Sequence, residues 1–370
     1  MPIDAQTYAP RHVEAPPEME ATKVYHNAIR NMPDAKHIVA LITGANAGLG
    51  FHAAAALARK GAHVILACRS MTKARDAKKR IEETFAALND DTCAAPRIDV
   101  QNLDLTSFDS VRRCAASLRE RLPRLDLLIN NAGVMGVHKA LTEDGFDIQM
   151  QVNHLSHSLH THELLALLAE AAPARGVQHP GNAHWLGGPR FDLSRPDDGL
   201  FSGLIGGLFA RLAPETTGQW SRYGVSKLCN ALFCVELQRQ LERAGLAHRI
   251  MSVAAHPGFA MSQLFQVAAA ANPLMAATFG ASVRIPMLLG VAQSAADGCT
   301  PLLRAATGGD VRGGEYFGPR YSAFGEPVKE NFRGFAHDVD MARALWRFSE
   351  LATGCQMCTA LERLGGSGAS

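Results

Sequence analysis

Glycine is concentrated in one short stretch of this sequence, Thr43-Gly44-Ala45-Asn46-Ala47-Gly48-Leu49-Gly50. Glycine lets the backbone turn tightly and come close to a ligand. A helix starting there offers unpaired N–H groups and the positive end of its dipole, which suits the pyrophosphate of a dinucleotide. A second cluster, Cys68-Arg69-Ser70 with Lys73 and Arg75, follows downstream. An acidic residue there would bind the adenosine ribose hydroxyls, whereas Arg69 suits a 2′-phosphate and hence NADP(H). Tyr223 and Lys227 stand four residues apart, one helical turn, and so share a face. A free phenol titrates near about 10, too high for work at neutrality, and a nearby ammonium favours its ionised form. His154, His157, His160 and His162 also crowd one stretch, with Glu163 as the nearby carboxylate. They read as packing or surface residues rather than a metal site. Cys355 and Cys358 lack a second pair at metal spacing and read as two thiols on a helix end.

The elements that must hold these residues alternate. His37–Thr43 is an apolar run ending at Gly44, and Ala and Leu recur at helical spacing over Ala53–Arg59. His63–Ala67, Arg97–Leu103 and Leu125–Asn130 read as further strands. Met71–Leu88, Phe108–Arg121 and Gly145–Glu170 read as helices. Short apolar runs bounded by glycine fit buried parallel strands, and this alternation implies βαβ units with helices on both sheet faces. After Glu170 the pattern weakens. A fifth buried strand is expected next, yet residues 174–184 make a poor one, and residues 185–221 are rich in Gly, Pro and Asp and read as an insertion. A helix over Arg222–Arg243, a strand over Arg249–Ala255, a last strand within Gly314–Gly318 and a helix over Val339–Ala352 follow.

Taken in order, these strings resemble the short-chain dehydrogenase/reductase superfamily. They are Thr43–Gly50, Asp104, Asn130-Asn131-Ala132-Gly133, Val152-Asn153-His154, Tyr223-Gly224-Val225-Ser226-Lys227 and His256-Pro257-Gly258. The resemblance spans about residues 37–318. Ala67-Cys68-Arg69, Val152–His157, Ser226–Asn230 and the tail from Arg343 to Glu350 are similar to the retinol-dehydrogenase and protochlorophyllide-reductase-like branch. The resemblance implies one doubly wound parallel sheet, a Rossmann fold, with an insertion before the catalytic helix and a C-terminal helical tail. It divides the chain into a loosely packed lead over 1–36, a domain over 37–318 and a tail over 319–370.

It also assigns roles. Tyr223 would exchange the proton with the substrate oxygen. Lys227 would hold the nicotinamide ribose and favour tyrosinate, and Asn153 would anchor a water joining Lys227 to solvent. Thr43, Gly44, Asn46, Gly48, Leu49 and Gly50 would hold the pyrophosphate side of NADP(H). Arg69 would take the 2′-phosphate, Asp104 the adenine, and Asn131, Ala132 and Gly133 would flank the adenosine. Pro257, Gly258 and Ser262 would lie near the nicotinamide. No metal is expected. The family's catalytic Ser is missing: His179-Pro180-Gly181-Asn182-Ala183-His184 puts Gly181 at its place. A lost donor of that kind costs orders of magnitude in rate. Asn182, His184 or Ser194 could supply another donor, or the protein binds cofactor with little turnover.

Composition bounds the partners. The 370 residues are 47% apolar and 19% charged with a formal charge of +2, enough for a large core and no basic stripe for nucleic acid. The 8 scattered Cys fit reduced thiols, and the N-terminus shows no basic-then-apolar signal, which together suggest a cytoplasmic protein. Ile250–Val283 lacks charged residues but carries His256, Pro257, Gly258 and Pro273, so it reads as a strand followed by apolar helices lining a pocket or touching a lipid surface. Phe265, Leu274, Met275, Phe279, Met287 and Leu288 in this region suggest an apolar carbonyl or alcohol substrate. Tetrapyrrole double-bond reduction is the variant reading. The resemblance adds the expectation of a homodimer through the two long helices.

Overall fold

The computed structural model describes residues 21–87, 95–137, 140–181, 184, 214–260 and 292–366. Their strands form one eight-stranded sheet in the order β3-β2-β1-β4-β5-β6-β7-β8. The strands are β1 (Val39–Thr43), β2 (His63–Cys68), β3 (Arg97–Asn102), β4 (Leu127–Asn130), β5 (Ala174–Gln178), β6 (Ile250–Ala255), β7 (Tyr316–Pro319) and β8 (Pro327–Glu330). Every neighbouring pair is parallel except β7 with β8. Both sheet faces are covered, which is why the central strands read as unbroken apolar runs. Leu41, Ile65 and Leu128 point into one core layer, and Ala40, Ile42, Val64, Leu66 and Ile129 into the other.

The helices are α1 (Lys23–Asn31), α2 (Gly48–Arg59), α3 (Met71–Ala87), α4 (Phe108–Arg121), α5 (Ile148–Met150), α6 (Ser156–Ala171), α7 (Pro214–Arg243), α8 (Ala295–Gly298), α9 (Thr300–Thr307), α10 (Val339–Thr353) and α11 (Met357–Gly366). Residues of α4, α6, α7, α10 and α11 fill the first core layer, and residues of α1, α2, α3, α8 and α9 the second. A π turn over Gln151–Leu155 joins α5 to α6, splitting the long helix read from the sequence. The strand order reverses between β1 and β4. In open parallel sheets ligands bind at that crevice, outside the carboxyl ends of the strands.

Four parts differ from the sequence reading. Residues 174–178, a poor strand by composition, pair with β4 and β6 on both sides. Arg175 explains its place there: its guanidinium donates to the carbonyls of Ala305 and Gly308 at the C-terminus of α9. Helix α7 begins at Pro214, inside the stretch read as insertion; residues 185–213 lie outside the described residues. The lead is not loosely packed throughout, because α1 buries Tyr25 and Ile29, and buried Asp297 accepts hydrogen bonds from Thr22 N and Tyr25 N at its start. The tail adds β8 to the sheet edge and then packs α10 on α7, where Trp346 stacks on Phe233 at 5.8 Å. Among the described residues no helix is long and apolar enough to cross a membrane.

Candidate active site

The glycine-rich turn sits at the carboxyl end of β1, in the crevice. Gly44 has φ +67°, and a Cβ there would lie 3.0 Å from Ala132 Cα. At Gly50 it would lie 2.6 Å from Asn131 Nδ2. Gly44 requires glycine because Ala132 is pressed against it, and Gly50 because the Asn131 side chain and the Gly44 carbonyl, at 2.7 Å, leave no room for a Cβ. Helix α2 starts at Gly48, and Ala47 before it offers no capping side chain, so its first N–H groups face outward without one. Asn46, Gly48 and Leu49 are half-buried on the rim. Leu49 and Pro257 both border Gly298, each within reach of a Cβ placed there.

Thr43 has a different part from the ligand contact expected of it. Its side chain is fully buried. Its Oγ1 accepts from Asn131 N and Ala132 N, each at 2.9 Å, which uses both lone pairs. Its single proton goes to His157 Nε2 at 3.0 Å rather than to the more distant Ile129 O at 3.5 Å, because Nδ1 of that ring faces a carbonyl and must carry the ring proton. That makes His157 the Nδ1–H tautomer, and Nδ1 donates to the Asn153 carbonyl at 3.1 Å. A continuous hydrogen-bond chain thus joins the end of β1, the loop after β4 and the π turn. Asn131 closes it with Nδ2 donating to Thr43 O at 2.9 Å.

Asn153 sits inside the π turn, a local widening of the helix common at functional sites. Its side chain accepts from Val134 N at 2.8 Å and donates to Val134 O at 3.0 Å and Ser226 Oγ at 2.9 Å. Ser226 belongs to α7, so Asn153 fixes the loop after β4 against the helix that carries Tyr223 and Lys227. Gly133 completes the contact: a Cβ there would lie 3.1 Å from Asn153 Oδ1 and 3.6 Å from Lys227 Nζ. The structure therefore brings together Gly133, Asn153, Tyr223 and Lys227.

Lys227 Nζ lies 5.7 Å from the centre of the Tyr223 ring and donates to His179 O at 2.9 Å. Asn230 Nδ2 donates to the same carbonyl at 3.4 Å. Burial pulls the Lys227 ammonium down to about 8 and pushes the half-buried Tyr223 phenol above its ordinary value. Without a ligand the phenol is thus held protonated, as a donor. The Trp220 ring stands edge-on to Tyr223 at 6.2 Å.

The stretch that lost its Ser turns away from a strand path. Gly181 has φ +65°, a left-handed conformation that an L side chain enters at a cost. His184 is ruled out as the substitute donor. Its Nδ1 bonds Gly181 O at 2.8 Å, its Nε2 accepts from Arg333 N at 3.3 Å, and its ring is buried against Tyr316 and Phe332. Asn182 and Ser194 lie outside the described residues, as does Ser262. His179 is a residue that the sequence reading passed over. Its ring is buried, its Nδ1 has no hydrogen-bond partner, and burial together with the Lys227 charge holds it neutral.

Arg69, Lys73 and Arg75 are exposed at the end of β2 and the start of α3, and among the described residues none has an ion-pair partner. Asp104 is more occupied than an adenine contact requires: its Oδ1 accepts from Thr106 N at 2.9 Å and Thr106 Oγ1 at 2.7 Å. Gly258 has φ +63°, and a Cβ there would come 2.3 Å from Ala323 O, so glycine is required. Pro257 O accepts from Gln293 Nε2. His154, His157 and His160 are fully buried packing residues, and among the described residues no group of His, Cys, Asp and Glu could hold a metal ion.

The family profile described as short chain dehydrogenase matches residues 38–178. Retinol dehydrogenase 14 of Mus musculus is 33% identical over 322 residues, covering 85% of each chain. The chain is a short-chain dehydrogenase/reductase of the retinol-dehydrogenase-like branch. Retinol dehydrogenase 13 of Homo sapiens is 33% identical over 326 residues, covering 85% of this chain and 84% of its own. The crystal structure of an uncharacterized protein from Mycobacterium paratuberculosis superposes with a TM-score of 0.65 at 32% identity, over 89% of this dehydrogenase/reductase and 98% of that chain. The Pseudomonas aeruginosa RhlG/NADP active-site complex shares the fold, with a TM-score of 0.53 at 24% identity over 76% and 94% of the two chains. An oxidoreductase fold of this family accounts for the site at the β1/β4 switch point.

Proposed function

We propose that this dehydrogenase/reductase uses NADP(H) to interconvert a carbonyl and an alcohol on an apolar small molecule. The observation that carries the reading is the convergence of Tyr223, Lys227, Asn153 and Gly133 below the glycine-rich turn. The residues present fit the cofactor. An α2 N-terminus without a side-chain cap suits the pyrophosphate, and three exposed cations, Arg69, Lys73 and Arg75, suit the 2′-phosphate. Relatives named as retinol dehydrogenases support the substrate class. The apolar Phe259–Leu289 stretch agrees with it, although residues 261–291 lie outside the described part.

When bound, the nicotinamide supplies or accepts the hydride. The chain's residues handle the proton and the placement. In reduction, the Tyr223 hydroxyl gives its proton to the substrate oxygen; in oxidation it takes that proton back. Lys227, on the same helix face, stabilises the phenolate left behind, at a distance where a charge in a poorly solvated site acts strongly. Asn153 keeps Val134 and Ser226 in register, so the loop after β4 and α7 move as one body.

A second reading, cofactor binding without turnover, is favoured by one feature: the left-handed Gly181 where the family has a catalytic Ser. One experiment separates the two. NADPH should raise the melting temperature under either reading and should do so more than NADH. Consumption of NADPH with a panel including octanal and all-trans-retinal occurs only under the first. Stabilisation by NADPH with no consumption across the panel would support binding alone. Greater stabilisation by NADH would remove the argument from Arg69.

A further inference from the structure

We propose that Arg222 is a positioning residue for Tyr223, acting through a buried ion pair with Asp147. The proposal rests on the oxidoreductase reading above. Arg222 directly precedes Tyr223 in α7. Its Nε lies 3.0 Å from Asp147 Oδ2, with the two side chains only 8% and 6% exposed. Its Nη2 donates to Val137 O at 3.1 Å. Asp147 is anchored in turn. Its Oδ1 accepts from Gln149 N at 3.0 Å and Met150 N at 3.2 Å, capping the helix turn that leads into the π turn. Gln149 then spans the same gap in parallel. Its Oε1 accepts from Gly136 N and its Nε2 donates to Gln219 O, each at 3.0 Å.

Three segments meet in this network. Residues 136–137 follow the Asn131–Gly133 string, residues 147–149 precede Asn153, and residues 219–222 precede Tyr223. Each brings one part of the site, and no two are neighbours in sequence. The network is a costly way to gain stability. Removing both charges from water takes several kcal/mol per ion, and packed apolar residues of similar size often serve equally well. What the pair adds is a second fixed point. The guanidinium lies against the Asp147 carboxylate as a charge contact, its Nε outside hydrogen-bond geometry, and hydrogen-bonds a backbone carbonyl through Nη2, so two different segments hold α7 at Tyr223. Apolar packing tolerates small slides, and a displacement of about 1 Å at a reacting group costs about 100-fold in rate.

The test compares wild type, Arg222→Lys and the paired replacement Arg222→Met with Asp147→Leu, using NADPH with octanal. The inference expects kcat to fall in the order wild type, Arg222→Lys, paired variant, reaching a loss of about 10- to 100-fold in the last. NADPH affinity, read by quenching of protein fluorescence, should stay within about twofold, because none of these residues lies in the glycine-rich turn. If the paired variant does not fold, Arg222→Lys alone decides: a fall in kcat of about threefold or more at unchanged NADPH affinity supports the inference. It is overturned if the folded variants keep kcat within about twofold of wild type, or if NADPH affinity falls by the same factor as kcat. If the wild type reduces none of the carbonyl panel, the oxidoreductase reading fails separately. The decision then rests on the Tyr223 phenol, titrated by NMR of ring-labelled tyrosine. A Tyr223 titration that moves in Arg222→Lys supports the inference, and one that does not move overturns it.

Discussion

Acid should unfold this protein through its buried histidines well before its carboxylates are protonated. His154, His157 and His160 lie on one turn-and-helix stretch, fully buried. His154 faces Ser349 Oγ at 2.8 Å, His157 is held between Thr43 and Asn153, and His160 faces Cys114 Sγ at 3.9 Å. Burial drives their values down to about 3, about 4 and about 3, from an ordinary value near about 6.5. The sign follows from proton counting. Between pH 6.5 and 4 the unfolded chain binds protons that the folded chain refuses, so stability falls as pH falls through that window. Each such histidine loses about 1.4 kcal/mol per pH unit, hence about 2 kcal/mol by pH 5. Three together lose about 6 kcal/mol, comparable with the whole stability of an ordinary domain. Glu163, held down at about 2 by His162 and Arg119, keeps its contribution above its ordinary carboxylate value and loses it only at and beyond the acid end of this window. Urea unfolding followed by circular dichroism at pH 7.5, 6.5, 5.5 and 5 reads the slope directly. His160→Gln should reduce that slope by about 1.4 kcal/mol per pH unit. Stability that is flat from pH 7 to 5, or a His160→Gln slope equal to that of wild type, would refute the reasoning.

Three further outcomes are expected. Arg69→Ala should reduce the melting-temperature gain with NADPH while leaving any gain with NADH unchanged; equal effects on the two would deny Arg69 its place at the 2′-phosphate. Thr43→Val removes the O–H that sets the His157 tautomer, so ¹⁵N-histidine NMR should show His157 protonated on Nδ1 in wild type and altered in the variant, whereas Thr43→Ser should keep the wild-type pattern. Gly181→Ser should destabilise by about 1–2 kcal/mol, because φ +65° strains an L residue, and should not raise turnover. A gain in turnover would mean that the stretch can adopt the family's strand path after all.

Much of this architecture was legible because its signals are local. The Thr43–Gly50 turn, its flanking strand and helix, and the Tyr223–Lys227 spacing are contiguous patterns that need no partner to be seen. A fifth strand was expected after Glu170, but residues 174–178 did not look like one by composition, because Gly176 and Arg175 take their place from β4, β6 and the carbonyls at the end of α9. Helix α1 left a trace: Thr22 caps it, and Tyr25, Ile29 and Met32 recur at helical spacing. The prolines and polar residues around it concealed that trace. The tail's strand β8 depends on pairing with β7, which no local pattern announces.

Within the site, the same distinction holds. Glycine positions could be named in advance, but the reasons for Gly44 and Gly50 lie in Asn131 and Ala132, more than eighty residues away in sequence. Thr43 was recognisable by place, yet its hydroxyl works inward on His157. His184 looked like a substitute donor until both ring nitrogens proved to be taken by backbone groups. The Asp147–Arg222 pair was invisible for a plainer reason: two opposite charges far apart in sequence carry no mark that they will meet in the core.

The proposed reaction turns on Tyr223 handing a proton to a carbonyl oxygen in a site that binds NADPH. The most direct measurement is NADPH oxidation at 340 nm with octanal or all-trans-retinal, run on wild type and Tyr223→Phe, with NADPH binding measured on both. Wild type should consume NADPH, and Tyr223→Phe should bind NADPH with similar affinity but lose turnover by about 100-fold or more. Equal turnover by the two proteins, or wild type that neither binds NADPH nor consumes it, would contradict the account.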